Sequence, residues 1–178
     1  RQRDNPMAEA FNSMIQKEIE AGDEGFEPFS YATALIYYSG SSAYKNIPRG
    51  LKYGRNFGEG RYFAKILGRE LASSALFANV DVIVPVPLHW ARRWKRGYNQ
   101  AEVIAKSVAR EMGGISVERD LVKRVRYTKT QTKLHKSKRY SNVEDAFKAR
   151  ACSPAPKHIL LVDDVFTTGS TLCACERA

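Results

Sequence analysis

One stretch constrains this chain more than any other: Leu160-Leu161-Val162-Asp163-Asp164-Val165-Phe166-Thr167-Thr168-Gly169-Ser170-Thr171. The apolar run predicts a strand, two adjacent acids sit at its carboxyl end, and a turn of small hydroxyl residues with one glycine leads into a helix near Ser170. An ordinary strand-turn-helix, with Ser170 or Thr168 merely capping the helix, has no use for neighbouring carboxylates at a strand end. An apolar strand ending in paired aspartates also occurs in ATPases, but no GxxxxGK[ST] loop exists in the chain to go with it.

The chemistry of the segment follows from its residue types. A monophosphate needs closely spaced N–H and hydroxyl donors near a helix N-terminus, and the turn of Thr167, Thr168, Gly169, Ser170 and Thr171 supplies them, with Gly169 letting the backbone approach. Asp163 and Asp164 can accept bonds from ribose hydroxyls and help hold hydrated Mg²⁺ on a pyrophosphate.

A second stretch repeats the strand-loop-helix logic. Val80 to Pro87 is a β-branched run ending in two prolines, as a buried parallel strand running into a loop does. A basic loop from Arg92 to Gly97 is expected next, then a helix from about Asn99 to Met112 with Ala101, Ile104, Ala105, Val108 and Ala109 inward. In that loop Arg92, Arg93 and Arg96 can place planar donors around a pyrophosphate. The alternative is a solvated basic face with Asn99 as a simple cap. His89 reads as a hydrogen-bonded structural residue.

Elsewhere the pattern predicts a helix over Met7–Ile19, a break at Gly22–Gly25, a strand over Tyr31–Tyr38 and a helix within Phe57–Phe77, where Gly68 weakens the expectation. Leu121–Tyr127 and His158–Val162 are further strand candidates, and Thr128–Asn142 reads as a polar, basic loop. Strands alternating with helices predict an α/β fold, a doubly wound and mostly parallel sheet. The expected division is an accessory region over residues 1–59 and a core over 60–178.

Composition narrows the classes. With 178 residues, 43% hydrophobic and 27% charged, the chain suits one folded α/β domain with a small addition. No run approaches the ~18 apolar residues of a membrane span, and the first residues lack the apolar core of a secretory signal, so a cytoplasmic location is expected. Cys152, Cys173 and Cys175 form no CxxC pair and read as free thiols without a metal site. The net charge of +10 suits either nucleic acid or a small polyphosphate, and charge alone does not choose. The chain begins without Met and stops inside a young helix, so both native ends are expected to lie beyond this stretch.

The strand-and-turn segment resembles the phosphoribosyl pyrophosphate signature of type I phosphoribosyltransferases, nearly completely over its length. Val84 to His89, followed by Arg92, Arg93, Arg96, Gly97, Tyr98, Asn99, Gln100 and Ala101, is similar to the pyrophosphate-loop region of ComF-family proteins. Thr130, Gln131, Leu134, Arg139, Asn142, Val143, Ala146 and Phe147 resemble that family's mobile catalytic loop, to which Lys129 adds charge. The resemblance implies an amidophosphoribosyltransferase-like fold and a Mg²⁺-dependent site for phosphoribosyl pyrophosphate or a nucleoside monophosphate, with Mg²⁺ held mainly through the ligand. It implies transfer of the phosphoribosyl group to or from a nitrogen acceptor. The alternative it carries is a non-catalytic competence protein that senses ligand and acts in DNA uptake, through single-stranded DNA or a protein partner, with a homodimer left open. Lys133, Lys136, Lys138 and Arg139 are then the expected DNA contacts. The chain departs from the family in lacking ligands for an N-terminal zinc module, in stopping before a further strand, and in carrying Pro48 where a helix is usual.

Overall fold

The computed structural model describes residues 31–36, 44, 46–54, 57–126, 146–167 and 169–178, together with the single helical positions Ser13, Gln16 and Glu20. Helix α1 (Asn46–Arg49) runs into a π-helical turn at Gly50–Gly54, and α2 spans Phe57–Ala72. A 3₁₀ turn at Ala75–Phe77 precedes β1 (Val82–Pro85), which is followed by α3 (Trp90–Arg96) and α4 (Gln100–Glu111). Then come β2 (Ser116–Val117), β3 (Val122–Arg124), β4 (Phe147–Ala149), β5 (Ile159–Val162) and α5 (Ser170–Glu176).

The order β2-β1-β5 makes a parallel sheet, while β3 and β4 pair antiparallel in a separate ribbon. β1 is central, and all four of its residues are buried, which is why its sequence shows no alternation. Its faces serve two cores. Val82 and Val84 pack with the ribbon residues Leu121, Val122 and Phe147 and with Ala174 and Cys175 of α5. Ile83 faces the other way, onto α2 and α4 through Ala64, Leu71, Ala105 and Val108. Helices therefore cover both faces, as the predicted doubly wound α/β architecture requires. The strand start is pinned by Asp81, whose Oδ2 accepts the backbone N–H groups of Lys157 at 2.8 Å and His158 at 2.9 Å. Those two bonds hold its carboxyl below the ordinary range.

Several expectations are corrected. The Arg92–Gly97 stretch is helical, capped at its start by His89, whose Nδ1 accepts the Ala91 N–H, and closed by Gly97. Residues 31–36 form no strand, and 37–38 lie outside the described residues. Pro48 sits in the first turn of α1, where its missing N–H has no intrahelical partner to lose, so the helix forms. Leu121–Tyr127 contributes only Val122–Arg124, in the ribbon rather than the parallel sheet. In α2 the buried stripe is Gly60, Ala64, Gly68 and Leu71, with Tyr62 left exposed.

Gly68 is thus a packing requirement. A Cβ there would lie 2.8 Å from Glu111 Cβ and 3.0 Å from the Val108 backbone, so α2 and α4 meet at van der Waals contact only because it is absent. In Gly68→Ala the helix-propensity gain, up to about 1 kcal/mol, is smaller than the overpacking cost of about 1–3 kcal/mol. The expected outcome is a Tm lower by about 3–6 °C in a thermal melt; an unchanged or raised Tm contradicts this packing.

Candidate functional site

The parallel register pairs Pro85 of β1 with Val162 of β5, and Val86 N donates to Val162 O at 2.8 Å one step further on. The two strands end side by side. α4, which follows β1, packs on one face of the sheet, and α5, which follows β5, packs on the other. A crevice at such adjacent carboxyl ends is where open α/β sheets take their ligands.

Asp163 and Asp164 emerge from β5 into this crevice. Asp164 is almost wholly buried, its side chain 4% exposed, and its Oδ2 pairs with Lys52 Nζ at 2.8 Å while Oδ1 accepts from Gln100 Nε2 at 3.5 Å. Asp163 Oδ1 accepts the backbone N–H of Asp164 at 2.8 Å. Burial, and after it the neighbouring Asp164 charge, push the Asp163 carboxyl up to about 8. Next to the pair, Gly169 takes a left-handed conformation (φ 76°, ψ −10°), which a side chain would strain, and opens α5 without a side-chain cap. Ser170 is buried and Thr167 exposed in that turn. Thr168 lies outside the described residues, as do Lys129, Gln131 and Arg139.

Because α3 is a helix, its three arginines fan out over one side: at about 100° per residue, Arg92 and Arg96 lie about 40° apart and Arg93 about 60° beyond Arg96. Arg92 stands close enough to His89 and Arg124 for its charge to act on both. Arg96 donates to Gln100 Oε1 and lies 5.6 Å over the Tyr53 ring. Arg92 and Arg96 thus have neighbours close to the strand ends, and Arg93 lines an outer groove along α4. Asn99 caps α4 by accepting the Ala101 N–H at 3.1 Å, and it also donates to Val86 O at 3.0 Å, tying the helix to the end of β1.

Sequence reasoning missed Lys52 as a member of the site. Its turn is held by Leu51, which is buried, whose carbonyl accepts from Tyr98 Oη and whose side chain fills the space above Gly60. The π-helical geometry around Lys52 has no sequence signature, so the residue looked like one more surface lysine. Arg124 lies on β3 over the Phe147 ring at 5.2 Å. Burial and Arg92 lower its pKa, whereas Cys175 and Asp163 raise it. His89 is held below its ordinary range by burial, Arg124 and Arg92, and Cys175 is pushed upward by burial and Asp163.

The matches to known proteins fall on this architecture. The phosphoribosyl transferase domain family matches residues 98–178, from the end of α3 through the phosphate turn. The chain is 43% identical over 94 residues to Competence protein F of Haemophilus influenzae and 32% identical over 96 residues to Competence protein ComFC of Bacillus subtilis. The chain is thus similar to competence proteins and to phosphoribosyl transferase domains over its second half. It is also 37% identical over 92 residues to DNA utilization protein YhgH of Escherichia coli K12. These alignments cover 52–54% of the chain and 37–41% of the three relatives, so the shared part is about two-fifths of each curated protein. No solved structure matches. No helix among the described residues is long and apolar enough to cross a membrane.

The raised Asp163 pKa has a stability consequence. A carboxyl whose folded pKa lies above its unfolded value near 3.8 contributes stability below that value and loses it as pH rises to about 8. Asp163→Asn removes this dependence, so the Tm advantage of the variant over the parent grows from pH 5 to pH 8 and levels off above. Melts of both proteins across that range check it; a pH-independent difference contradicts the assigned shift.

Proposed function

We propose that the crevice binds phosphoribosyl pyrophosphate and that the chain transfers its phosphoribosyl group to or from a nitrogen acceptor. The observation that carries this reading is a pair of adjacent carboxylates at the end of β5, half-buried Asp163 and Asp164 with its buried side chain, shortly before a glycine-containing hydroxyl turn. The family match over residues 98–178 supports it.

In this reading Asp163 and Asp164 accept the ribose hydroxyls and orient the sugar, and Thr167 to Thr171 hold the 5-phosphate through hydroxyl and backbone donors. Arg92 and Arg96, with Arg124 behind them, stabilise charge on the departing pyrophosphate. The bond from the anomeric carbon to pyrophosphate breaks as the bond to nitrogen forms, and no covalent nucleophile is required. Among the described residues no group of three His, Cys, Asp or Glu gathers that could cage a metal ion. Two neighbouring carboxylates nevertheless suit Mg²⁺, which keeps several waters and is bound through one or two acids together with substrate phosphates. Mg²⁺ would there neutralise pyrophosphate charge. Lys52 must release Asp164 for the ribose to enter, so the turn at Gly50–Gly54 acts as a gate between the accessory region and the site.

The similarity to a competence protein and a DNA utilization protein supports a second reading, in which the same site senses ligand in a protein acting in DNA uptake. Pyrophosphate release separates the two. The protein is incubated with phosphoribosyl pyrophosphate, Mg²⁺ and a panel of bases and amines; release with one acceptor marks a transferase, and ligand-dependent stabilisation without release marks a sensor. At a ligand concentration 100 times Kd the stabilisation is about 2.7 kcal/mol. Asp164→Asn is expected to reduce it strongly, while Asp120→Asn, at an exposed position, leaves it intact. Equal effects of the two substitutions place the site elsewhere.

A further inference from the structure

The face of α4 turned away from the core is not used by the phosphoribosyl site. Ala105, Val108 and Ala109 pack inward. Glu102, Lys106 and Arg110 follow one another at a spacing of four residues on the opposite side, so their side chains stand one above the next. Three further elements bring a cation to the same stripe: Arg61 comes from α2, Arg93 from α3 and Arg119 from the segment between β2 and β3. Together these residues line a groove of about 430 Å³.

The charge in this groove is one-sided, with five cationic side chains against one acid, Glu102. That acid is shared by Lys106 at 2.7 Å and Arg119 at 3.5 Å. Among the described residues neither Arg93 nor Arg110 is ion-paired, and Arg61 lies over the Phe57 ring at 5.7 Å rather than beside an acid. Like charges gathered from four elements repel one another, and a bound anion relieves that repulsion. The volume falls in the range of about 300–1,000 Å³ typical of small-molecule sites. A single phosphate or carboxylate neutralises only part of a surplus of four charges, whereas a linear triphosphate carries a comparable charge within one small volume. A nucleic-acid strand spreads its phosphates along its length, while these cations ring a single groove. The DNA contacts expected from the sequence, Lys133, Lys136, Lys138 and Arg139, lie outside the described residues.

The geometry points to a binding site for a triphosphate group on this outer face of α4, with Arg93, Arg110 and Arg119 as forked donors to its oxygens and Lys106 as a point charge. The group is shared by inorganic tripolyphosphate and by nucleoside triphosphates. The site stands apart from the phosphoribosyl reading, because neither Asp163 nor Asp164 lines the groove.

Titration calorimetry of the whole chain with inorganic tripolyphosphate at low salt tests the site. One saturable event is expected, with inorganic phosphate binding far more weakly. Arg93→Gln combined with Arg110→Gln is expected to weaken tripolyphosphate binding by about 10-fold or more, the loss of at least one charged hydrogen bond. Glu102→Gln is expected to tighten it by about 2- to 5-fold, because Lys106 and Arg119 then have no acid competing for them. Arg92→Gln, at a residue assigned to the phosphoribosyl site, leaves it unchanged. Arg93 and Arg110 are exposed, so the double variant keeps the fold, and a melt of each variant verifies this. Adenosine triphosphate in a parallel titration identifies the source: equal or tighter binding assigns a nucleotide, and weaker binding assigns the inorganic chain. The proposal is overturned by absence of saturable binding, by equal affinity for inorganic phosphate, by full affinity in the double arginine variant, or by an equal loss in Arg92→Gln. Displacement of tripolyphosphate by an equimolar single-stranded oligothymidylate also overturns it, since the groove is then part of a nucleic-acid face. A melt shift induced by phosphoribosyl pyrophosphate on the same preparations reports separately on the phosphoribosyl site.

Discussion

The parallel pairing of β1 with β5 sets the position of everything chemical in this chain. Its register, from Val82 with Ile159 to Pro85 with Val162, ends both strands at one level. The acids that follow β5 and the helix that follows β1, with Arg92 and Arg96, consequently lie at the same end of the sheet. The pairing is possible because both sheet faces are covered: Ile83 and Val84 are fully buried on opposite sides, one against α2 and α4, the other against the ribbon and α5. Removing either layer would expose a β-branched strand with no polar face.

Electrostatics in the crevice follow from that burial. Two carboxylates leave one strand in consecutive positions, and Asp164 is ion-paired with Lys52 at 2.8 Å. Asp163, shielded from water and beside that charge, favours its protonated form near neutral pH. A ligand that binds through both as acceptors must displace Lys52 and ionise Asp163, so binding affinity is coupled to pH and to the seating of the accessory turn. Such coupling would let the accessory region influence the core without contributing a catalytic group.

Much of this was legible in the residues and some was not. The strands Val82–Pro85 and Ile159–Val162 were readable because short apolar runs bounded by prolines or acids have few other uses. The helix Gln100–Glu111 was readable from its alanine-rich inner face and its asparagine cap. The strands Ser116–Val117 and Phe147–Ala149 were too short to carry a period. The helix Trp90–Arg96 was hidden for a different reason: its apolar residues, Trp90 and Trp94, face solvent, so it lacks the buried stripe by which helices are recognised. Reading that stretch as a loop also hid that Arg93 lines a groove along α4. Lys52 was invisible because its role depends on a contact with a residue far along the chain, which local pattern does not encode.

The central claim is that the acids ending β5 are a ligand site whose ionisation is linked to binding. Titration calorimetry of the intact chain with phosphoribosyl pyrophosphate and Mg²⁺ at pH 7, in two buffers of different ionisation enthalpy, measures it directly. The account predicts binding with release of close to ~1 proton, because a carboxyl near 8 is mostly protonated before the ribose arrives and ionised after. Absence of binding, or binding with the same heat in both buffers, would contradict it.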